Sequence, residues 1–194
     1  PYNFDSTSML ATIAALKRDF EKAIEMLNKA IEIQPENLAI IHNLGTAYQE
    51  LGNLKEAIKY YKKVLQVDPK HTNANYSLGI VYYKLKELKT AKSYFKKTVD
   101  IQKNFALAFF SLANVHVELK EYNDAVSSYQ KAIEINPNLV GAHNNLGLLF
   151  RGLNDFPNAI NCYQKAIQIQ PSHGGAHHNL ALAFKELGQF DKAI

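Results

Sequence analysis

Only one cysteine, Cys162, occurs among the 194 residues, so no disulfide can form within the chain and packing alone must hold the fold. That scarcity is compatible with a reducing or an oxidising compartment, and a cytoplasmic location is the expectation. Tryptophan is absent and methionine occurs twice. No apolar run approaches the roughly 20 residues needed to span a bilayer, so membrane insertion is not expected. No signal-peptide pattern opens the chain. Its first residue is Pro1 rather than Met, and a longer parent protein is expected. An excess of one charge is also lacking. The 22 Lys+Arg against 18 Asp+Glu leave a net +4, too mild to require a nucleic-acid partner. No phosphate-binding glycine loop and no serine–histidine–acid order appear. No catalytic residues and no cofactor are therefore expected, and the segment reads as a non-enzyme.

What the chain has is repetition. Pro35, Pro69, Pro137 and Pro171 lie 34, 68 and 34 residues apart, and Lys103 in "DIQKNFA" stands where the missing proline would be. A fixed period of this length marks a solenoid. Cut at that period, the chain reads as one array over 1–194. It has five full units, 4–37, 38–71, 72–105, 106–139 and 140–173, and a sixth that begins at Gly174 and stops at Ile194. The seventh place of each unit is Leu10, Leu44, Leu78, Leu112, Leu146 or Leu180. The eighth is small: Ala11, Gly45, Gly79, Ala113, Gly147 or Ala181. The twentieth is always alanine: Ala23, Ala57, Ala91, Ala125, Ala159 and Ala193. The twenty-fourth is large: Leu27, Tyr61, Phe95, Tyr129 and Tyr163.

Leu44, Ala47, Tyr48 and Leu51 follow helical spacing, and so do Leu54, Ala57, Ile58, Tyr61 and Leu65. "ELGNLKEA" between them carries Gly52 and Asn53 as a turn. Each unit therefore predicts two antiparallel helices, A and B. Small residues at places eight and twenty let A and B approach. The aromatic at place twenty-four fills the remaining space, and the proline ends helix B. One pair cannot bury its apolar faces alone, so the pairs must stack. A natural array would not stop inside helix B, where Ile194 falls, so more chain is expected to follow.

"NLGTAYQELGNLKEAIKYYKKVLQVDP" resembles the tetratricopeptide repeat, the helix–turn–helix unit of 34 residues, and the resemblance runs from Phe4 to Ile194. The tryptophan common at the fourth place is missing; Thr7, Ile41, Asn75, Phe109, His143 and His177 stand there. The resemblance implies an all-α, right-handed superhelical solenoid. Its A helices line a concave groove, and the groove holds an extended peptide or a partner protein. The chain is then a scaffold or adaptor. The alternative is the substrate-recruiting arm of a larger enzyme.

By the family's geometry, places two, five, six, nine, twelve and thirteen face the groove. The middle of that surface is apolar and aromatic, with Tyr76, Ile80, Tyr83 and Phe110, all read as lying outside the internal packing stripe. Toward the C-terminus it becomes small and amide-rich, with Gly141, Asn144, Asn145, Gly175 and Asn179, and Asn114 and His178 also face the groove. Glycine lets a ligand backbone come close, and an asparagine offers both donor and acceptor to a peptide group. Asn43, Asn145 and Asn179 share the sixth place. "AHNNLGLLFRGLNDFPNAINCYQKAIQIQPSHGGAHHNLA" is similar to the repeats of O-GlcNAc transferases, in which asparagines at that place grip the target backbone; Met9, Ser77 and Ser111 break the series here. The carboxylate clamp of tetratricopeptide co-chaperones is not matched. Its asparagines are present as Asn114, Asn145 and Asn179, but every cation is missing at its places.

The remaining signals have structural readings. Lys84, Lys86, Lys89, Lys92, Lys96, Lys97 and Lys103 belong to a solvated outer face. His173 and His177 are four apart but have no further ligands nearby, so no metal is expected. His116 reads as a core residue and Cys162 as a packing or surface thiol. Self-association through the array ends is the remaining partner expectation.

Overall fold

The computed structural model describes residues 3–189 and residue 191. Eleven α-helices and no strand occur among the described residues, the all-α class expected from the repeat. The chain divides into two compact units, Pro1–Ile101 and Gln102–Ile194.

The first unit holds α1 (Phe4–Leu16), α2 (Phe20–Ile33), α3 (Leu38–Glu50), α4 (Leu54–Val67), α5 (Thr72–Lys84) and α6 (Leu88–Ile101). Each helix packs on the next. Its pairs are antiparallel: Tyr48 stacks on Tyr60 while Gly45, one turn earlier, meets Tyr61, one residue later. Tyr82 and Tyr94 stack in the same way, 5.5 Å between centroids. Ala23, Ala57 and Ala91 are fully buried at the crossings.

The second unit holds α7 (Ala106–Glu118), α8 (Tyr122–Ile135), α9 (Val140–Gly152), α10 (Phe156–Ile169) and α11 (Gly174–Glu186). Ala125, Ala159, Tyr129 and Tyr163 form its core with Leu146 and Leu149. Ala193 and Ile194, read above as part of a second helix of the sixth repeat, lie outside the described residues.

The A helices α1, α3, α5, α7, α9 and α11 all end alike. Place fifteen adopts the left-handed conformation, at Arg18, Gly52, Lys86, Lys120, Asn154 and Gly188. The next N–H reaches back to the carbonyl five residues earlier, as in Asn53 N–H to Tyr48 O at 2.9 Å and Glu121 N–H to His116 O at 2.9 Å. Where that next residue is Asp19, Asn53 or Asp155, its side chain also caps the following B helix. Only two of the six positions are glycine, so the turn is imposed by packing as much as by the residue.

The proline at place thirty-two is not what stops helix B. α6 ends at Ile101, in register with the other B helices, although Lys103 replaces the proline. In the other repeats the residue before proline is extended, with φ near −130° at Gln34, Asp68, Asn136 and Gln170. The proline carbonyl has a use of its own. Asn75 donates to Pro69 O at 3.1 Å, and ring nitrogens of His143 and His177 meet Pro137 O and Pro171 O at 2.9 Å. These polar side chains sit where tryptophan is common in the family, and they tie helix A to the preceding connection.

Candidate functional site

In the first unit the A-helix face carries His42, Tyr76, Ile80 and Tyr83, all half-buried. The place-five rings rest on the place-twenty-four rings of their own repeats. His42 lies 5.2 Å from Tyr61 and Tyr76 lies 5.7 Å from Phe95, between centroids. Tyr76 is therefore partly a packing residue and does not stand outside the stripe as expected. Tyr83 carries the Lys86 ammonium 5.4 Å above its ring. Asn43 is exposed and lines a pocket of about 190 Å³ with Ala11, Thr12, Leu27, Thr46 and Ala47. His42 meets the Ser77 hydroxyl at 3.3 Å, linking place five of one repeat to place six of the next. Burial, with His71 nearby, holds the His42 pKa below its usual value.

In the second unit the expected amides come together, but they first bond to one another. Asn179 donates to Asn144 Oδ1 at 3.0 Å, Asn144 to Asn145 Oδ1 at 3.3 Å, and Asn145 to Asn114 Oδ1 at 3.1 Å. The Tyr129 hydroxyl ends the run on Asn114 at 2.5 Å. Burial pushes Tyr129 up to about 12. The amides thus brace α7, α9 and α11, and each remains half-buried rather than enclosed. At the two ends of the run, the Asn114 amide N–H groups and the Asn179 carbonyl have no partner among the described residues. Phe110 is half-buried against Tyr129, 6.0 Å between centroids, and its ring would be in ordinary contact, at 3.4 Å, with a Cβ added at Gly141. His178 is exposed beside the run.

Sequence reasoning placed the asparagines on one face but missed their mutual bonds. The signal was available. Place six follows place five of the preceding repeat by 35 residues, the offset of both His42–Ser77 and Asn144–Asn179. Sequence reasoning also missed the caps: Nδ1 of His71 and His173 accepts from the N–H of Ala74 and Ala176. His173 and His177 are accordingly both used by backbone. His116 is buried as expected, and its Nδ1 meets a Glu121 oxygen. Asp124 lies close enough for one atom of each to fall within 4.8 Å. Cys162 is half-buried, and burial raises its thiol to about 11, so it stays protonated at neutral pH. In the lysine-rich third repeat most of the lysines are exposed, and Lys97 lies 5.4 Å over the Tyr94 ring.

Tetratricopeptide-repeat family models match residues 36–104, residues 17–52 and 113–153, residues 140–173 and residues 162–194. The chain belongs to the tetratricopeptide-repeat family. Among solved structures this tetratricopeptide-repeat chain is similar to MamA, at 29% identity and TM-score 0.76 over 82% of this chain and 87% of that one. It is similar to YrrB, a tetratricopeptide-repeat protein with an unusual peptide-binding site, at 26% identity and TM-score 0.74 over 89% of each chain. A structure of the APC/C hetero-tetramer Cut9–Hcn1 shares the fold, with TM-score 0.80 at 19% identity, over 93% of this chain and 36% of that one. A curated relative, BBSome complex member BBS4 of Bos taurus, is 48% identical over 44 residues. That match spans 8% of the relative's own length.

Proposed function

We propose that this tetratricopeptide-repeat array is a non-catalytic interaction scaffold that holds an extended segment of a partner protein along its A-helix face. The observation that carries the reading is the amide run of Asn114, Asn144, Asn145 and Asn179. It offers donors at one end and an acceptor at the other, on a face that also bears Phe110. A peptide backbone has the complementary acceptor and donor at every residue, whatever its side chains. Phe110, and in the first unit Tyr76, Ile80 and Tyr83, take apolar side chains. The peptide-binding site of the similar YrrB supports a peptide as ligand. In the second reading the array recruits substrates for a larger enzyme of the O-GlcNAc-transferase type; the shared sixth place of Asn43, Asn145 and Asn179 favours it.

The test is a peptide-array screen followed by titration of Asn145→Ala, Asn179→Ala, Tyr76→Ala and Phe110→Ala. Each lost amide contact weakens binding by about 0.5–1.5 kcal/mol, equally for all peptides. Each lost aromatic anchor costs about 2 kcal/mol and discriminates among peptides. A partner whose affinity is unchanged by all four substitutions does not use this face. The alternative is then the depression of about 380 Å³ between α8, α9 and α10, lined by Gln130, Ile133, His143, Asn161 and Lys165.

A further inference from the structure

The large residue at place twenty-four lies over the small one at place eight, and a tyrosine there buries a hydroxyl that needs a partner. The second repeat supplies Thr46 and Gln49 to Tyr61, each at 3.3 Å. The fourth supplies Asn114 to Tyr129. The third avoids the need by using Phe95. The fifth does neither. Tyr163 is 0% exposed, and its hydroxyl has no hydrogen-bond partner among the described residues. Place nine, which serves Tyr61 and Tyr129, is here Leu148.

A second orphan lies in the same repeat. Arg151 Nη1 is buried without a partner among the described residues, at place twelve, where the second repeat has the acceptor Gln49. Burial holds the Tyr163 hydroxyl up to about 12 although the Arg151 charge acts to lower it. Arg151 Nε stands 3.8 Å from Glu186 Oε2, longer than a hydrogen bond. In the second repeat place twelve reaches the place-twenty-four hydroxyl, Gln49 Oε1 standing 3.3 Å from Tyr61, so in the fifth a cationic donor takes the place of that acceptor. A carboxylate has the matching character: two acceptor oxygens, no donor, and negative charge.

We propose that Tyr163 and Arg151 form a subsite for a carboxylate of the bound segment, either an acidic side chain or a free C-terminus. The proposal rests on the A-helix face being the ligand surface. It differs from the co-chaperone clamp, whose cations are absent here, because its cation comes from place twelve. Both donor atoms are enclosed in the unliganded chain, so Arg151 must swing to admit the ligand. Its ion pair with half-exposed Glu186 is loose.

The chain has two arginines, Arg18 and Arg151, so the arginine Nε–Hε region of a nitrogen-15 spectrum holds two signals and its own control. The probes are N-acetylaspartate N-methylamide, its asparagine counterpart, N-acetylalanine and N-acetylalanine amide. Small probes report on the subsite whether or not a long segment binds, so failure here is distinct from failure of the groove reading. The Arg151 signal is expected to shift saturably with one or both carboxylates while Arg18 stays still, with the neutral probes at least about tenfold weaker. The aspartate arm identifies a side chain as the source and the N-acetylalanine arm a C-terminus. Tyr163→Phe, the side chain type already present at Phe95, is expected to weaken carboxylate binding about threefold or more. Leu148→Asn, which supplies the internal acceptor of the fourth repeat, is expected to do the same. Glu186→Gln is expected to strengthen it. Equal response to neutral and charged probes, no saturable shift, or an affinity unchanged by Tyr163→Phe would overturn the proposal and leave the hydroxyl to a bound water.

Discussion

Gly79→Ala places a Cβ 2.5 Å from Phe95 Cε1 and 2.6 Å from Cδ1. Carbon atoms prefer separations of about 3.5–4.0 Å, so the ring must retreat by roughly 1 Å. Phe95 is 0% exposed and has the Tyr76 ring packed against it, which leaves little space for that retreat. Overpacking of this kind costs about 1–3 kcal/mol. Helix propensity acts the other way and favours alanine by about 1 kcal/mol. The two are separated by a control. At Gly152, the last residue of α9, an added Cβ meets nothing within 4 Å, so Gly152→Ala should be neutral or stabilising. The difference between the two substitutions isolates the steric part. Phe95→Leu supplies a second control, because the first repeat already pairs Ala11 with Leu27, both buried. In that background Gly79→Ala should lose its cost, giving a coupling of about 1 kcal/mol or more in the double-mutant cycle. Urea denaturation followed by circular dichroism measures all five chains, the parent included. If Gly79→Ala stabilises as Gly152→Ala does, or acts alike in both backgrounds, the close approach of α5 and α6 is not what selects glycine. The fourth repeat limits the claim usefully. Ala113 and Tyr129 share its core cluster, so a methyl is tolerable where the ring is seated to receive it.

Lys120 holds φ +62°, a conformation that costs a non-glycine residue about 1–2 kcal/mol, so Lys120→Gly should raise stability by about 0.5–1 kcal/mol once glycine's greater entropy loss is deducted. Gly52→Ala, at φ +78°, should lower it, and thermal melts check both directions. His42 is held below its unfolded pKa by burial and by His71, so the unfolded chain binds its proton first as pH falls. Stability should therefore be flat above the unfolded value of about 6.5 and fall as pH drops from there toward the lower folded pKa. His42→Phe, matching Phe110 at the same place, should reduce that slope in denaturation midpoints across the range. Asn144→Ala removes two links of the amide run and should cost about 1–3 kcal/mol, seen as faster amide hydrogen exchange in α11.

The period made the helix positions readable. A helices begin at Phe4, Leu38, Thr72, Ala106, Val140 and Gly174, 34 residues apart, because the same small and large residues recur at the same crossings. What that period hid lies between repeats. Asn145 to Asn114 and Asn179 to Asn144 join different places of neighbouring units, so a unit-by-unit comparison treats them as separate ligand contacts. The place-five aromatics misled for a related reason. Tyr76 and Phe110 lie off the helical stripe that packs A against B, yet they still reach the place-twenty-four rings. The left-handed turns at Arg18, Lys86 and Lys120 carry no local signature, since basic residues there say nothing about φ. The orphan hydroxyl of Tyr163 was visible only as Leu148 standing where Thr46 and Asn114 stand elsewhere.

Binding on the A-helix face is tested most directly by site-specific photo-crosslinking to a partner identified by the peptide screen. The photoreactive residue p-benzoylphenylalanine is placed at Leu148 on α9, which is 38% exposed, and in a second protein at exposed Gln130 on α8. Crosslinks are expected from position 148, competed away by unlabelled peptide, and none from position 130. Crosslinks from position 130 alone would contradict it and move the binding surface to the depression between α8, α9 and α10.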